Sequence, residues 1–466
     1  MTHPPSVLRA PHSAPEQPPA PAAAPVPPQH SARAVVGERL RAAATTEPGR
    51  LQIIGAVLAL LVVAFGAVTA FEISDRAAAA NDVVERSQPL SADAAGIYRS
   101  LADADAAAAS GFLAGPQEPR AVHEQYTKDI EEASRLLVKA AANTGTSTES
   151  GREITTLNEG LPRYTGLIER ARATNRQGLP LGGAYLRYAN QKMSGELLPA
   201  AERLYAAETG RLDGDQHSAR ARPFFSLGIG VVALAVLFWA QRRNYRRTNR
   251  VFNHGLVAAT AATTVLLLWL AVGHTVARSD LATADSHGQQ SMDVLNRARI
   301  DSLKARADEN LTVVARGAVL TADGKNDKYE TDYTTGMKAL GDELGRAAKL
   351  AADTGDTEGG KPVAAAAKAV TEWQGRHRTA RKTDDAGDYE AALEQIIGSE
   401  NSTGASFKKV DDALREALAH EQSEFTEAAR DGRGALDGLP VGAAVLAVLG
   451  AVAAIVGVNR RLSEFR

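Results

Sequence analysis

The sequence of 466 residues contains no cysteine, and only 5% of its residues are aromatic. The absence of cysteine excludes disulfide frameworks, thiolate zinc sites and cysteine nucleophiles. Few aromatic residues and abundant alanine disfavour β-sheets and favour helices. Lys and Arg total 53 against 55 Asp and Glu, so the net charge is −2. This balance gives no support to nucleic-acid binding, which usually leaves a basic footprint. The composition predicts an all-α protein.

Charged residues are also absent from four long apolar runs, at residues 51–71, 224–240, 255–273 and 439–458. A helix of about 20 such residues crosses the hydrocarbon core of a bilayer. Four uncharged core helices of this length are rare in soluble proteins, so we expect four transmembrane helices, the third extended to residues 254–274. Fifty residues precede the first run, which favours an uncleaved anchor over a signal peptide.

Arginine is concentrated in short segments beside these runs. The link at residues 241–253 has no acidic residue and carries five arginines: Arg242, Arg243, Arg246, Arg247 and Arg250. Short Lys/Arg-rich loops stay in the cytoplasm. The pattern therefore predicts a multi-pass plasma-membrane protein with both termini and this link inside, and with residues 72–223 and 275–438 outside. The five arginines are also a candidate contact for anionic lipids or a cytoplasmic partner, although a topology signal alone explains them.

The two long segments between the spans share short motifs in the same order. Tyr126 matches Tyr333, and AANTG at residues 141–145 matches AADTG at residues 351–355. Apolar residues recur every three or four positions, which is typical of amphipathic helices facing a common core. We therefore expect four transmembrane helices and two extracytoplasmic up-down four-helix bundles, related as a tandem repeat.

Proline and glycine predict where these helices bend or stop. Pro89, Pro162 and Pro199 fall inside predicted helices and should kink them, and residues 398–404 should interrupt the last helix of the second bundle. We place the membrane-distal docking surface at residues 143–151 and 353–361. The segment at residues 1–50 is rich in proline and alanine, so a disordered cytoplasmic tail is expected there. A second cytoplasmic tail is expected at residues 459–466.

Motifs for catalysis are missing. The sequence contains no phosphate loop, dinucleotide fingerprint, nucleophile elbow or HExxH helix, and His123 lacks a second histidine at metal-ligand spacing. His377 occupies a core-like position and is interpreted as a buried, hydrogen-bonded side chain. The apolar runs carry no charged group for an ion pathway. They do contain glycines that permit close helix contact, although ordinary glycine usage in membrane helices explains them equally well: Gly66, Gly228, Gly230, Gly442 and Gly450. We expect no enzyme activity, no cofactor and no metal site.

The predicted architecture resembles known receptors. Each bundle resembles the four-helix-bundle sensory domains of bacterial chemoreceptor-like proteins. The tandem arrangement from residue 51 onward is similar to GlnX-type membrane receptors of high-GC Gram-positive bacteria. That resemblance implies a relay in which a solute-binding lipoprotein loaded with aspartate or glutamate docks outside. The spans then signal to a cytoplasmic Ser/Thr kinase, protein kinase G, that controls glutamate metabolism. Because only a short tail follows the fourth span, output is expected through a separate protein. The alternative is a structural or accessory membrane protein, such as an envelope scaffold or a transporter subunit.

Overall fold

The computed structural model describes residues 47–144, 148–248 and 253–462. Within these ranges the chain is helical and forms no strand, although one isolated bridge pairs Leu320 with Asp327. The helices are α1 Glu47–Asp82, α2 Gln88–Leu113, α3 Arg120–Asn143, α4 Glu149–Arg176, α5 Leu181–Lys192, α6 Leu198–Ala219, α7 Phe224–Thr248, α8 His254–Thr283, α9 Gln290–Ala315, α10 Lys328–Thr354, α11 Thr357–Asp385, α12 Tyr389–Ile397, α13 Thr403–Gly434 and α14 Leu439–Leu462. The expected tail at residues 1–46, Arg250 and residues 463–466 lie outside the described residues. Residues 47–50, expected in the tail, begin α1.

Four helices are long and apolar enough to cross a membrane, as expected from the sequence. They contain the apolar parts of α1, α7, α8 and α14, and α14 packs against both α1 and α8. Glycines lie at the closest approaches. A Cβ added to Gly66 would collide with Ala447, and one added to Gly442 would collide with Trp269. By contrast, Gly228 has nothing within 4 Å. The expected close contacts therefore form at particular glycines.

Outside the spans, the helices form two halves that follow the same order. In the first half α2, α3, α4 and α6 enclose a core that includes Leu157 and Tyr164, both fully buried. In the second half α9, α10, α11 and α13 enclose a core around Trp373. Leu157 and Tyr164 belong to the apolar spacing read from the sequence. The shared helix order is what a duplication predicts, and the duplication itself stays a prediction.

Three wide π-helical turns interrupt the long helices, at Val83–Ser87, Met193–Leu197 and Ala284–Gln289. The first two precede Pro89 and Pro199. Proline cannot donate to the carbonyl four residues before it, and its ring crowds that carbonyl. A wider turn relieves the crowding without ending the helix, so the expected kinks take this form. Pro162 lies inside α4. The interruption expected near residue 400 is present, because α12 ends at Ile397 and α13 begins at Thr403.

The predicted position of the distal docking surface is wrong. α2 leads away from the spans and α3 returns, so the turn after Asn143 lies at the span-facing end of the first half. Lys139 Nζ accordingly lies 3.0 Å from Asp93 Oδ1, near the start of α2. The turn between α10 and α11 occupies the corresponding end of the second half. The distal surface is formed instead by residues 114–119, 177–180, 316–327, 386–388 and 398–402.

Candidate functional site

The two halves share a continuous interface along α2 and α9. Ile300, Leu303 and Leu311 of α9 join the apolar core of the first half. Polar contacts border this core: Tyr205 Oη donates to Asp293 Oδ1 at 3.0 Å, and Asn310 Nδ2 donates to Ser110 Oγ at 2.7 Å. Apolar packing and hydrogen bonds both connect the two halves across this interface. A movement of one half would therefore displace packed residues of the other half.

A cavity of about 260 Å³ lies in this interface, on the side of the spans. Residues of α2, α6, α9 and α13 line it. Its polar lining includes Arg99 from α2, Tyr205 from α6, Asn296 and Arg299 from α9, and Arg415 from α13. We call it the axial cavity. Three arginines from three helices therefore line one partly open space.

The three arginines differ in how their charges are balanced. Arg299 Nε donates to Asp411 Oδ1 at 2.6 Å, and Arg415 Nη2 lies 2.9 Å from Asp411 Oδ2. Arg99 donates to the neutral amide oxygen of Asn296, and among the described residues no carboxylate forms an ion pair with it. Burial, with a further contribution from Arg299, lowers the pKa of Arg99 to about 10. Arg99 thus brings to the axial cavity a positive charge that Asp411 stabilises only from a distance, which suits the binding of a small anion.

An acidic cluster borders the axial cavity on one side. Gln125 Nε2 donates to Asp129 Oδ1 at 3.0 Å and to Asp103 Oδ2 at 3.3 Å. Burial, followed by the charge of Asp411, raises the pKa of Asp103 to about 6. Burial, followed by the charge of Asp103, raises the pKa of Asp129 to about 8. At neutral pH, Asp129 therefore keeps its proton, and the charge balance of the interface depends on pH.

Each half also has a buried carboxyl group that is hydrogen-bonded within its core. In the first half, Tyr164 Oη donates to Asp105 at 3.1 Å and Asn190 Nδ2 donates to it at 2.8 Å. In the second half, Glu309 is fully buried and accepts from Trp373 Nε1 at 3.1 Å. These buried hydrogen-bonded groups fix how the helices of each half fit together.

The interpretation of His377 as a buried, hydrogen-bonded histidine is confirmed. Its Nδ1 lies 2.9 Å from Glu309 Oε1 and its Nε2 lies 3.1 Å from Glu330 Oε1. The ring stacks on Tyr333, with 3.8 Å between the ring centroids. Burial opposes the charged form of His377, but the hydrogen bonds to the two carboxylates outweigh it and raise its pKa to about 9. The group is a cationic link between α9, α10 and α11.

The candidate arginines of the link are found at the end of α7. Arg242 and Arg246 are exposed, and the guanidinium carbon of Arg243 lies 5.6 Å from the centroid of the Trp239 ring. Arg247 belongs to the same helix, whereas Arg250 lies outside the described residues. The arginines of α7 lie at its end, beyond its apolar part, and do not line the axial cavity. Their role as a lipid or partner contact stays a prediction.

Part of the chain is similar to a known protein family. Residues 79–217 match the family model of an actinobacterial sensor domain. The matched segment begins near the end of α1 and ends within α6, so it contains the helices of the first half, with Arg99 and Tyr205. With the four apolar helices, the match fits a multi-pass plasma-membrane protein with a sensor role. No curated protein and no solved structure matches the chain.

Sequence reasoning missed the residues of the axial cavity. Arg99 and Asp103 stand in the alanine-rich helix α2, most of whose residues are buried. A charged residue on a helix that is apolar on nearly every side must meet a protein partner. The sequence therefore indicated that Arg99 and Asp103 have protein partners. It did not indicate that α9 is the helix packed against α2.

Proposed function

We propose that the protein is a transmembrane sensor in which occupancy of the axial cavity changes the packing of the spans. One observation carries the proposal: the cavity arginines lie on helices that lead into spans. Arg99 lies on the continuous helix Gly49–Leu113, and Arg415 lies on α13, which a turn at residues 435–438 joins to the span-forming helix α14. Arg299 lies on α9, which follows α8 through the π-helical turn Ala284–Gln289.

The coupling has a simple physical form. A ligand shifts an equilibrium between two packed states only if it binds one of them better. An anion between Arg99 and its neighbours favours the arrangement that brings the guanidinium groups together, because it offsets their mutual repulsion. Packed helices respond by small sliding or rotation, and such movements pass along a continuous helix. We take the probe for this site to be a small carboxylate such as glutamate or aspartate.

The orientation and partners belong to the same proposal. Both halves lie outside the membrane, as a tandem pair of four-helix bundles, with the termini and residues 241–253 inside. The chain acts without catalysis, as a GlnX-type relay between a solute-binding lipoprotein and a cytoplasmic Ser/Thr kinase. The distal end supports docking of the lipoprotein, because Leu179, Leu181 and Leu320 are about half exposed there. On the other side, Arg242 and Arg246 offer an exposed basic contact.

The test is site-specific photocrosslinking in native membranes, with and without glutamate. A photoreactive side chain at Leu179 should capture a solute-binding protein, and one at Arg246 should capture a kinase. The control position is Asn143, which is exposed at the span-facing end and should capture neither. Glutamate should change at least one of the two yields. Capture of neither protein class under both conditions would favour the envelope scaffold or transporter subunit.

A further inference from the structure

Three side chains with metal-binding atoms meet where α11 begins beside α13. Asp356 precedes α11, and His420 and Glu424 lie one turn apart on α13. His420 Nε2 lies 3.1 Å from Asp356 Oδ2 and 3.5 Å from Glu424 Oε1. One ligand atom from each residue lies within 4.8 Å of the other two. All three side chains are partly buried, at 10%, 29% and 37% exposure in chain order.

These distances fit ligation of one ion. In a tetrahedral zinc site with metal–ligand bonds near 2.0–2.1 Å, neighbouring ligand atoms lie about 3.3 Å apart. The two contacts of His420 Nε2 bracket that distance. Asp356 is also held in place, since its Oδ1 accepts from Gly359 N at 2.9 Å and caps α11. Its Oδ2 is therefore oriented toward His420 by a hydrogen bond on the other oxygen, as is usual for metal-binding carboxylates.

Acidic side chains outnumber basic ones around this cluster. Glu421 is 4% exposed, and its Oε2 has no hydrogen-bond partner. Among the described residues, no lysine or arginine forms an ion pair with Asp356, Glu421 or Glu424. The neighbourhood therefore has three acids, one histidine and no fixed positive charge.

The first half also has a buried glutamate near the start of a helix, but different side chains surround it. Glu208 is a buried glutamate on α6, facing the start of α4, as Glu421 faces the start of α11. Ser150 Oγ donates to Glu208 Oε1 at 2.6 Å, and Arg211 Nη1 lies 3.9 Å from Glu208 Oε2. An arginine thus accompanies the buried acid in the first half, whereas a histidine and a further acid accompany it in the second.

We propose that Asp356, His420 and Glu424 bind a divalent transition-metal cation of the zinc class. An imidazole ligand favours zinc and its neighbours over magnesium or calcium, which take oxygen ligands. The ion joins the start of α11 to α13, which a short turn at residues 435–438 connects to the fourth span. The proposal is independent of the axial cavity and of any anion bound there.

The test is titration of the full-length chain, purified in detergent and stripped with a chelator, with Zn²⁺ by calorimetry and with Co²⁺ by visible absorption. One tight site per chain is expected. Asp356→Asn, His420→Gln and Glu424→Gln should each weaken binding at least tenfold. Asp356→Asn separates ligation from folding, because asparagine caps a helix as well as aspartate does. Circular dichroism should show an unchanged helix content in that variant.

The matched control is His123→Gln. His123 lies on α3, where its Nδ1 is 3.5 Å from one carboxylate oxygen, Glu118 Oε2, and no third ligand atom joins them among the residues that the structure describes. Zinc affinity should be unchanged in this variant. The proposal is overturned if the unmodified chain binds neither metal, or if His420→Gln and Asp356→Asn bind zinc as tightly as the unmodified chain does.

Discussion

Replacing His377 with glutamine should remove a pH-dependent part of the stability of the second half. The pKa of His377 is raised from 6.5 to about 9 in the folded chain. A raised pKa means that the folded state holds the proton more tightly than the unfolded state does. The stabilisation is therefore complete below pH 6.5 and is lost as the pH rises through 9. A difference of this size corresponds to about 3 kcal/mol, at 1.36 kcal/mol per pH unit.

Glutamine can still donate a hydrogen bond to Glu309 from its amide nitrogen, but it carries no positive charge. At pH 6 the free energy of unfolding should be about 3 kcal/mol lower in His377→Gln than in the unmodified chain. Above pH 9.5 the two should nearly coincide. Trp373 is buried beside the site and donates to Glu309. Its fluorescence reports unfolding of the second half once Trp239 and Trp269, the other two tryptophans, are replaced with phenylalanine.

The matched control is His123→Gln, because the His123 side chain is 52% exposed and should leave the pH profile unchanged. A gap between His377→Gln and the unmodified chain that stays constant from pH 6 to pH 9.5 would refute the reasoning. Such a gap would mean that His377 contributes packing alone.

Three further predictions concern the core, the spans and the topology. Leu157 is fully buried, so Leu157→Ala should lower the free energy of unfolding of the first half by about 2–5 kcal/mol; an unchanged melting temperature would contradict this. Gly66→Val should destabilise the spans because of the collision with Ala447, whereas Gly228→Val, in open space, should not; equal melting temperatures would show that the helices do not pack closely there. Finally, Asn143→Cys should react with a membrane-impermeant thiol reagent in intact cells. Labelling only after lysis would reverse the proposed orientation.

The spans and most helices were predictable because their signals are local. An uncharged run of 20 residues indicates a membrane span. The spacing of Ile154, Leu157 and Leu161 in α4 indicates which face of that helix is buried. His377 was placed correctly for the same reason, since it continues the apolar face of α11 that includes Trp373.

The axial cavity was not predictable, because it depends on which helix covers α2. Alanine on nearly every side of α2 indicates that the helix is buried, but it does not indicate which helix packs against it. Arg99 could therefore not be paired with Asn296 from the sequence. The cluster at Asp356 was hidden for a similar reason. His420 and Glu424 are four residues apart and visible as a pair, but Asp356 is separated from His420 by 64 residues. The error about the distal turns came from the direction of α3, which returns toward the spans.

The central claim is that an anion in the axial cavity changes the packing of the spans. The direct measurement is the distance between spin labels on Arg246→Cys at the end of α7 and Arg460→Cys at the end of α14, made possible by the absence of native cysteine. In nanodiscs, saturating glutamate should shift this distance distribution, uncharged glutamine should not, and Arg99→Met should abolish the shift. Identical distributions with and without saturating glutamate or aspartate would contradict the account.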